Sequence, residues 1–396
     1  MDYSISLQKH MRMLCKTIGA RPAGSAKNKA AVDYVAGVLR QCGLEVRLQE
    51  FDCMDWKNFG AVLRVDGCDV PVTASEYSLP CEIEAELCCV DSVEALQNAE
   101  LTGKIAVMHG DLCKEPLMPK NFQFYNPGEH KQIIALLEEK NPAAIITAAP
   151  TKDHIIADGD FNIPCAIVSA EQLDVFKQSA SRRAKLTINA ERIPSKAHNV
   201  IAAYGKQSEK VCFSAHIDTK PTTPGALDNA SGVSALLTFA ESLSGKEFPF
   251  QIEIVLFNGE DYYSTPGEIA FMSSLSTEYR LAVNVDGIGL KNSATSVSFY
   301  SCAPEIENRI MKRVEQTTGI ERIDPWPMGD HMLFASCGIP TVAITASDIF
   351  SLMGSVLHSP DDNMEKIDID ILSSTARFLE SCADGWERDK DIFTKS

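Results

Sequence analysis

Aromatic residues are sparse, 7% of 396 positions, and tryptophan occurs three times. Basic residues are outnumbered, 37 Lys and Arg against 54 Asp and Glu, which leaves a formal charge of −17. A surface of that sign repels nucleic acid and anionic lipid, so neither is an expected partner. No run approaches the roughly 18 uncharged apolar residues that a membrane span requires. The opening Met1-Asp2-Tyr3-Ser4-Ile5-Ser6 has neither a basic n-region nor an apolar h-region, so no secretory signal is expected. There is no C-x-x-C, so the 13 cysteines encode neither a zinc ribbon nor a thioredoxin-type pair. An odd cysteine count in a long chain also argues against a disulfide framework, and the expected compartment is the reducing cytoplasm. Cys15, Cys42, Cys165, Cys212 and Cys337 sit in apolar surroundings and are expected as small buried hydrophobes, with Cys88-Cys89 packed in a strand.

What is present is an ordinary globular balance, 45% apolar and 23% charged, with length enough for two domains. Ala30, Ala31, Tyr34, Val35, Val38 and Leu39 recur at helical spacing, and a strand-like alternation comes after Gly43. Between about 55 and 190 short β-like runs dominate, such as 104–108 and 143–147, with a helix over 130–140 and another after Ser169. From about 197 long apolar strands (211–215, 252–257, 281–285) alternate with helices (230–244, 267–275), which predicts an α/β layer architecture with a mainly parallel sheet. The simplest organisation is a catalytic domain of 1–54 and 191–396, interrupted by an inserted, smaller, β-rich α+β domain over 55–190.

The chemistry lies just beyond each strand. His216-Ile217-Asp218, Asn258-Gly259-Glu260-Asp261 and Asp286-Gly287 stand at three successive strand ends, where open α/β sheets form their binding crevice. Gly225-Ala226-Leu227-Asp228-Asn229-Ala230-Ser231-Gly232 feeds a helix between the first two, and His358 lies in a loop before Ser359-Pro360-Asp361-Asp362. Two histidines with several carboxylates suit divalent zinc, and two ions need a bridging carboxylate, for which Asp228 is the candidate. Asp218 is placed to take the proton of the imidazole nitrogen of His216 that does not ligate. Adjacent Glu260 and Asp261 point differently, so one can ligate while the other takes a proton from water. The plain alternatives are that Asp228 is a helix cap, that Asp361-Asp362 is a helix-entry turn, and that His10, His109, His130 and His154 are surface residues.

These segments, with Asn284-Val285-Asp286 and His358-Ser359-Pro360-x-Asp362, resemble the co-catalytic dizinc aminopeptidases, a family that includes aminopeptidase Y, bacterial leucyl aminopeptidases and glutamate carboxypeptidase. Gly19-Ala20-Arg21-Pro22-Ala23-Gly24-Ser25 resembles the family's opening signature, and Leu101–Val107 with Asn162–Val168 is similar to a protease-associated domain. The resemblance covers nearly the whole chain. It implies a three-layer α/β/α sandwich with a mixed, mainly parallel central sheet. It further implies one zinc on His216, Asp286 and Asp228, a second on Asp228, Asp261 and His358, Glu260 as general base, Asp218 as orienter of His216, and a cis peptide after Asp228. Cobalt or manganese are the alternative metals. Gly329-Asp330-His331-x-x-Phe334 resembles a segment lining the family's substrate site.

Three departures stand out: Asp261 where many members carry Glu, Tyr262-Tyr263-Ser264-Thr265-Pro266-Gly267 where a glycine-rich segment is usual, and Leu357 where several have an oxyanion-binding tyrosine. The oxyanion role then falls to a metal, Tyr262 or Tyr263. Trp326, Met328, Phe334, Phe350 and Met353 are candidates for an apolar pocket, against a core role. The expected activity is removal of N-terminal residues from peptides or aminoacyl substrates. The alternatives are a carboxypeptidase or amidase on the same site, an inactive peptidase-like binding protein, and a one-zinc acyltransferase of the glutaminyl cyclase type. The insert is expected to give neither ligand nor base, and to wall the crevice or organise a homo-oligomer.

Overall fold

The computed structural model describes residues 2–122, 126–150, 154–179, 182–275 and 278–384. It divides into two compact units, one of Met1–Cys53 with Lys196–Ser396, the other of Met54–Ser195. In the first unit lie helices α1 (Tyr3–Arg12), α2 (Ala26–Gln41), α3 (Gly232–Ser242), α4 (Pro266–Ser273), α5 (Pro304–Gln316), α6 (His331–Ser336) and α7 (Ile369–Asp384). Its strands include the later part of β1 (Arg183–Tyr204), then β2 (Lys210–His216), β3 (Gln251–Phe257), β4 (Tyr279–Val285), β5 (Thr295–Tyr300), β6 (Ile320–Arg322) and β7 (Thr341–Ala346).

The strand order is β6-β5-β7-β4-β2-β3-β1. β3, β2, β4 and β7 are mutually parallel, while β1 and β5 join antiparallel. Alternation along each strand sends side chains to opposite faces. Val211, Phe213, Ala215, Ile252, Ile254 and Leu256 meet the cluster built with α1, α2, α3, α5 and α7. Cys212, Val255 and Phe257 meet Phe271 of α4 and Leu333 and Phe334 of α6 on the other face. Helices on both faces of a mixed sheet make this a three-layer sandwich.

α3 is buried along nearly its whole length, which its composition (Gly232, Val233, Ala235, Leu236, Leu237, Phe239, Ala240) permits. The parallel strands put all their C-terminal ends on one edge, and His216 pairs in register with Phe257, bringing the two adjoining loops side by side.

The second unit has its own sheet, in which Cys81–Val90, Ile105–Met108, Ala144–Ala149 and Cys165–Ser169 run parallel in that order, with Thr73–Ala74 antiparallel at the edge. Gly128–Lys140 is its longest helix, and apolar clusters line both sides of the sheet. Among the described residues no helix is long and apolar enough to cross a membrane.

Two expectations are corrected. Cys15, Cys165 and Cys212 are buried, but Cys42 is half-buried and Cys337 exposed, because each closes the turn that ends a helix. His10, His109 and His130 are buried, not surface residues. His130 Nδ1 accepts from the Met118 amide at 3.1 Å, and His154, half-buried, accepts from the Glu76 amide at 3.2 Å.

His10 on α1 bridges two neighbours, with Nδ1 2.7 Å from the Tyr34 hydroxyl of α2 and Nε2 3.3 Å from Glu241 of α3. Ser6 donates to Glu241 at 2.5 Å and lies 3.0 Å from the Thr238 hydroxyl, which fixes the carboxylate beside the imidazole. Burial outweighs the attraction of Glu241 and, with a smaller push from Lys9, depresses the imidazole from 6.5 to about 4. The unfolded chain therefore takes up this proton near pH 6.5 while the folded chain resists it until about pH 4. The stability advantage of the wild type over His10→Gln is expected to be constant above pH 6.5 and to shrink as the pH falls toward 4, as urea melts at stepped pH would show.

Candidate metal centre

The bridging candidate sits on an unusual stretch of chain. Gly225 has φ +60°, and a Cβ there would stand 2.4 Å from the Asp228 carbonyl oxygen. Ala226–Ser231 comes next as a buried wide turn in which Asp228 and Asn229 leave helical angles, and the Asp228-Asn229 peptide is cis. Asn229 then ties the turn down, donating to the Val285 carbonyl at 2.9 Å and accepting from the Gly232 amide at 2.9 Å. Gly232 is required here, since a Cβ would lie 2.4 Å from the Val285 oxygen.

With that backbone set, Asp228 presents one oxygen to each histidine: Oδ1 is 2.9 Å from His216 Nε2 and Oδ2 is 3.1 Å from His358 Nε2. Asp286 Oδ1 is 3.7 Å from His216 Nε2, and Asp261 Oδ1 is 3.3 Å from His358 Nε2. Two sets of donor atoms result, His216 with Asp228 and Asp286, and Asp228 with Asp261 and His358, each set lying within 4.8 Å. Among the described residues both sets come from the first unit alone. Asp228 belongs to both.

The electrostatics arise from crowding in a dry place. Burial would raise Asp228, but hydrogen bonds and charge from His216 and His358 outweigh it and hold this carboxyl far below its usual range. Burial would lower His358, yet Asp261 and Asp228 lift it to about 9. Asp261 is raised to about 7 by burial and by the charge of Asp228, and Glu260 is raised well above its ordinary value by burial, then Asp330, Asp261 and Asp286. His216 Nδ1 and Asp261 Oδ2, both buried, lack ordinary hydrogen-bond partners. Mixed imidazole and carboxylate donors converging on two points, with orphaned donor atoms among them, fit a pair of divalent cations such as zinc.

Glu260 belongs to neither set. Its Oε2 is 3.9 Å from His216 Nε2, and its side chain remains about a quarter exposed. Asp218 lies fully buried, but His216 Nδ1 is 3.7 Å from its Oδ1, beyond a hydrogen bond. Its oxygens instead accept the backbone amides of Gly259, Glu260 and Asp261. The two buried groups still form an ion pair, so Asp218 faces both His216 and the backbone of residues 259–261.

The substrate-lining candidates separate. Phe334 is enclosed in the core, its ring 6.0 Å from Phe257 and 5.9 Å from Phe271, so it walls nothing. Tyr262 is buried and stacks on Tyr263 at 4.3 Å. His331 is buried with its ring 5.0 Å from Trp326, and Nε2 stands 3.1 Å from the Trp326 carbonyl. Asp330 and Glu268 are both buried, and burial raises both carboxyls. None of these four is open to a substrate, because each side chain is buried. Trp326 and Phe350 do meet edge to face at 5.7 Å, and Met328, Phe350 and Met353 are exposed.

Three supporting residues had no role assigned from sequence. Asp362 accepts the Leu227 amide at 2.7 Å and the Asp228 amide at 3.1 Å, so it holds the bridge from behind. Arg21, fully buried, donates to the carbonyls of Ile217 at 2.6 Å, Pro224 at 2.8 Å and Gly225 at 3.2 Å, pinning the loop between His216 and Asp228. Lys220 donates to the Asp261 carbonyl at 2.9 Å. Asp362 and Arg21 lie within family-like motifs, which is their only signal in the sequence. His358 itself has φ +60°, the left-handed region that a histidine adopts at a cost.

Residues 199–382 match the profile of peptidase family M28. LpqL, a probable lipoprotein aminopeptidase of Mycobacterium tuberculosis, is 26% identical over 273 residues, 66% of this chain and 52% of its own length. Aminopeptidase YwaD of Bacillus subtilis is 22% identical over 376 residues, 89% of this chain and 78% of its own. The chain thus spans about half the length of the mycobacterial relative. The solved aminopeptidase from Aneurinibacillus sp. strain AM-1 is similar in fold, with a TM-score of 0.77 at 18% identity, covering 99% of this chain and 96% of that one.

Zinc titration followed by calorimetry and elemental analysis tests the shared bridge. Asp228→Ala is expected to weaken both ions, whereas Asp286→Ala weakens one. Asp362→Ala, which touches no ion, is expected to cost about 10- to 100-fold in affinity through the freed Asp228 backbone.

Proposed function

We propose that this protein, whose residues 199–382 match the profile of peptidase family M28, is a metal-dependent aminopeptidase that hydrolyses peptides from the N-terminus through a pair of divalent ions. The observation that carries this reading is the pair of donor sets sharing Asp228, with an uncommitted carboxylate, Glu260, beside them. His216, Asp228 and Asp286 would hold one ion, and Asp228, Asp261 and His358 the other. Ions bound there supply Lewis acidity to a peptide carbonyl and lower the pKa of a water.

The chain's own groups do the rest. Glu260 takes a proton from the attacking water and returns it to the leaving amine. Its surroundings favour that work, since a carboxyl raised by burial and neighbouring carboxylates is a stronger base than one in water. Leu357 is buried beside His358 and carries no hydroxyl, and Tyr262 is enclosed, so neither serves the oxyanion. Asp286, like Glu260, stays partly exposed, which leaves an approach to the site open.

The segment from Ser347 to His358, after β7, supports a preference at the cleaved position. Ile349 packs within 3.1 Å of where a Gly287 Cβ would stand, so the loop lies against the turn just after Asp286. Phe350, Met353 and Met328 remain exposed on it and beside it, with Trp326 in edge contact with Phe350. Exposed aromatic and thioether groups beside a polar centre suit an apolar first side chain.

Dialysis against a chelator should abolish hydrolysis of aminoacyl amides, and added Zn²⁺ or Co²⁺ should restore it without refolding. Glu260→Gln should retain both ions by elemental analysis yet lose on the order of 10²–10⁴-fold in kcat. Hydrolysis that persists in protein shown to be free of metal would overturn the proposal. Across a panel of leucyl, phenylalanyl, lysyl and aspartyl amides, Trp326→Ala should raise KM for the first two and leave the last two unchanged.

A further inference from the structure

We infer that Lys220 makes the metal centre unequal: its ammonium, set against the donor set of Asp228, Asp261 and His358, weakens the ion held there and leaves the ion on His216, Asp228 and Asp286 nearly untouched. This rests on the reading of the two sets as a pair of ion sites. β2 and β3 are parallel and in register at His216 and Phe257, and Lys220 and Asp261 each stand four residues further on. The two loops therefore leave the sheet side by side, and Lys220 Nζ donates to the Asp261 carbonyl at 2.9 Å. That bond fixes where a positive charge sits, against the main chain of a residue whose Oδ1 is 3.3 Å from His358 Nε2.

The charges around the two sets differ in sign. Beyond its own donor set, His216 has two more carboxylates close by, Asp218 Oδ1 at 3.7 Å from Nδ1 and Glu260 Oε2 at 3.9 Å from Nε2. Each adds to the attraction for a dication. At His358, burial, Asp261 and Asp228 act first, and the next charge in strength is the cation of Lys220. The same cation opposes the rise that burial and Asp228 impose on Asp261. Exposure differs as well, since the His216 side chain is fully enclosed and that of His358 is 34% exposed. An ion on the second set is opposed by a fixed cation and open to exchange with solvent.

The Asp261 main chain does not depend on this lysine for its place. The amides of Gly259, Glu260 and Asp261 donate to Asp218 at 2.7, 3.2 and 3.1 Å, and Asn258 exchanges two hydrogen bonds of 2.8 Å with Asn28. Removing the ammonium removes a charge more than a support. With the charge in place, occupancy of the second set, and hydrolysis with it, follows the free zinc concentration.

The test uses the full-length protein, stripped of metal and titrated with zinc by calorimetry, with Lys220→Met and Lys220→Arg. Methionine keeps the apolar stem without the charge, and arginine keeps the charge. Lys220→Met should bind the weaker of the two ions about tenfold more tightly or better, with the tighter ion unchanged, and Lys220→Arg should follow the unsubstituted protein. The gap should narrow as salt is raised, because Lys220 is half-buried and its field is screened. In an Asp261→Ala background, which dismantles the second set, Lys220→Met should leave the affinity of the remaining ion as it was. Under buffered zinc, half-saturation of aminoacyl amide hydrolysis should move to about tenfold lower free zinc. A second ion bound equally or more weakly in Lys220→Met would overturn the inference and leave the lysine as a structural tie between two loops. Should Lys220→Met not fold, Lys220→Gln, neutral and still a donor, decides by the same titration. Should the unsubstituted protein bind two ions yet hydrolyse no peptide, the proposed activity fails, and the affinities still decide the role of Lys220.

Discussion

Presenting Asp228 with one oxygen toward each of two histidines is the constraint on which the first unit's crevice depends. A carboxylate in that position is attractive to both imidazoles, at 2.9 and 3.1 Å, and repulsive to every other carboxylate nearby. Left to side-chain rotamers alone, like charges in a dry site would swing apart. The fold answers with main chain. Asp362 seizes the amides ahead of and at the bridge, Asn229 bolts the next turn to the end of β4, and Arg21 ties the preceding loop through three carbonyls. Each is buried, and each acts on backbone whose position then dictates where a functional side chain stands.

The sheet supplies the second half of the answer. Parallel strands deliver their C-terminal ends to a single edge, so residues distant along the chain arrive together without any long side chain reaching across. β2 and β3 are in register at His216 and Phe257, which is why Asp218 lies within reach of the amides after Asn258. Near Glu260, the buried carboxyls of Glu268 and Asp330 are both raised above their ordinary range, by burial first. The arrangement concentrates ionisable groups at the front and backbone-bound anions behind them.

The α/β layering, the strand ends and the residues brought together there were legible because they rest on period, length and residue type. A histidine and a carboxylate at successive strand ends carry their chemistry in their identity. The hydrogen bonds of Asp218 were not legible in the same way, since their donors are backbone amides, which have no letter in the sequence. Phe334 illustrates another limit: an aromatic three residues after His331 looks the same whether it walls a pocket or fills a core, and packing against Phe257 and Phe271 made it core. His10 was invisible as a buried group because its partners, Tyr34 and Glu241, belong to two other helices, the second far along the chain.

The pairing of α1 with α7 bears on how such a chain is made. Ser4 and Ser373 stand 3.3 Å apart across 369 residues, and Arg377 lies 5.1 Å over the Tyr3 ring. At about 5–20 residues per second, roughly 20 to 70 s separate the synthesis of these two helices. Throughout that interval Leu7, Met11 and Leu14 lack the full apolar cover they have in the finished core. The nascent chain therefore carries an amphipathic helix whose apolar stripe waits uncovered for a partner still unmade.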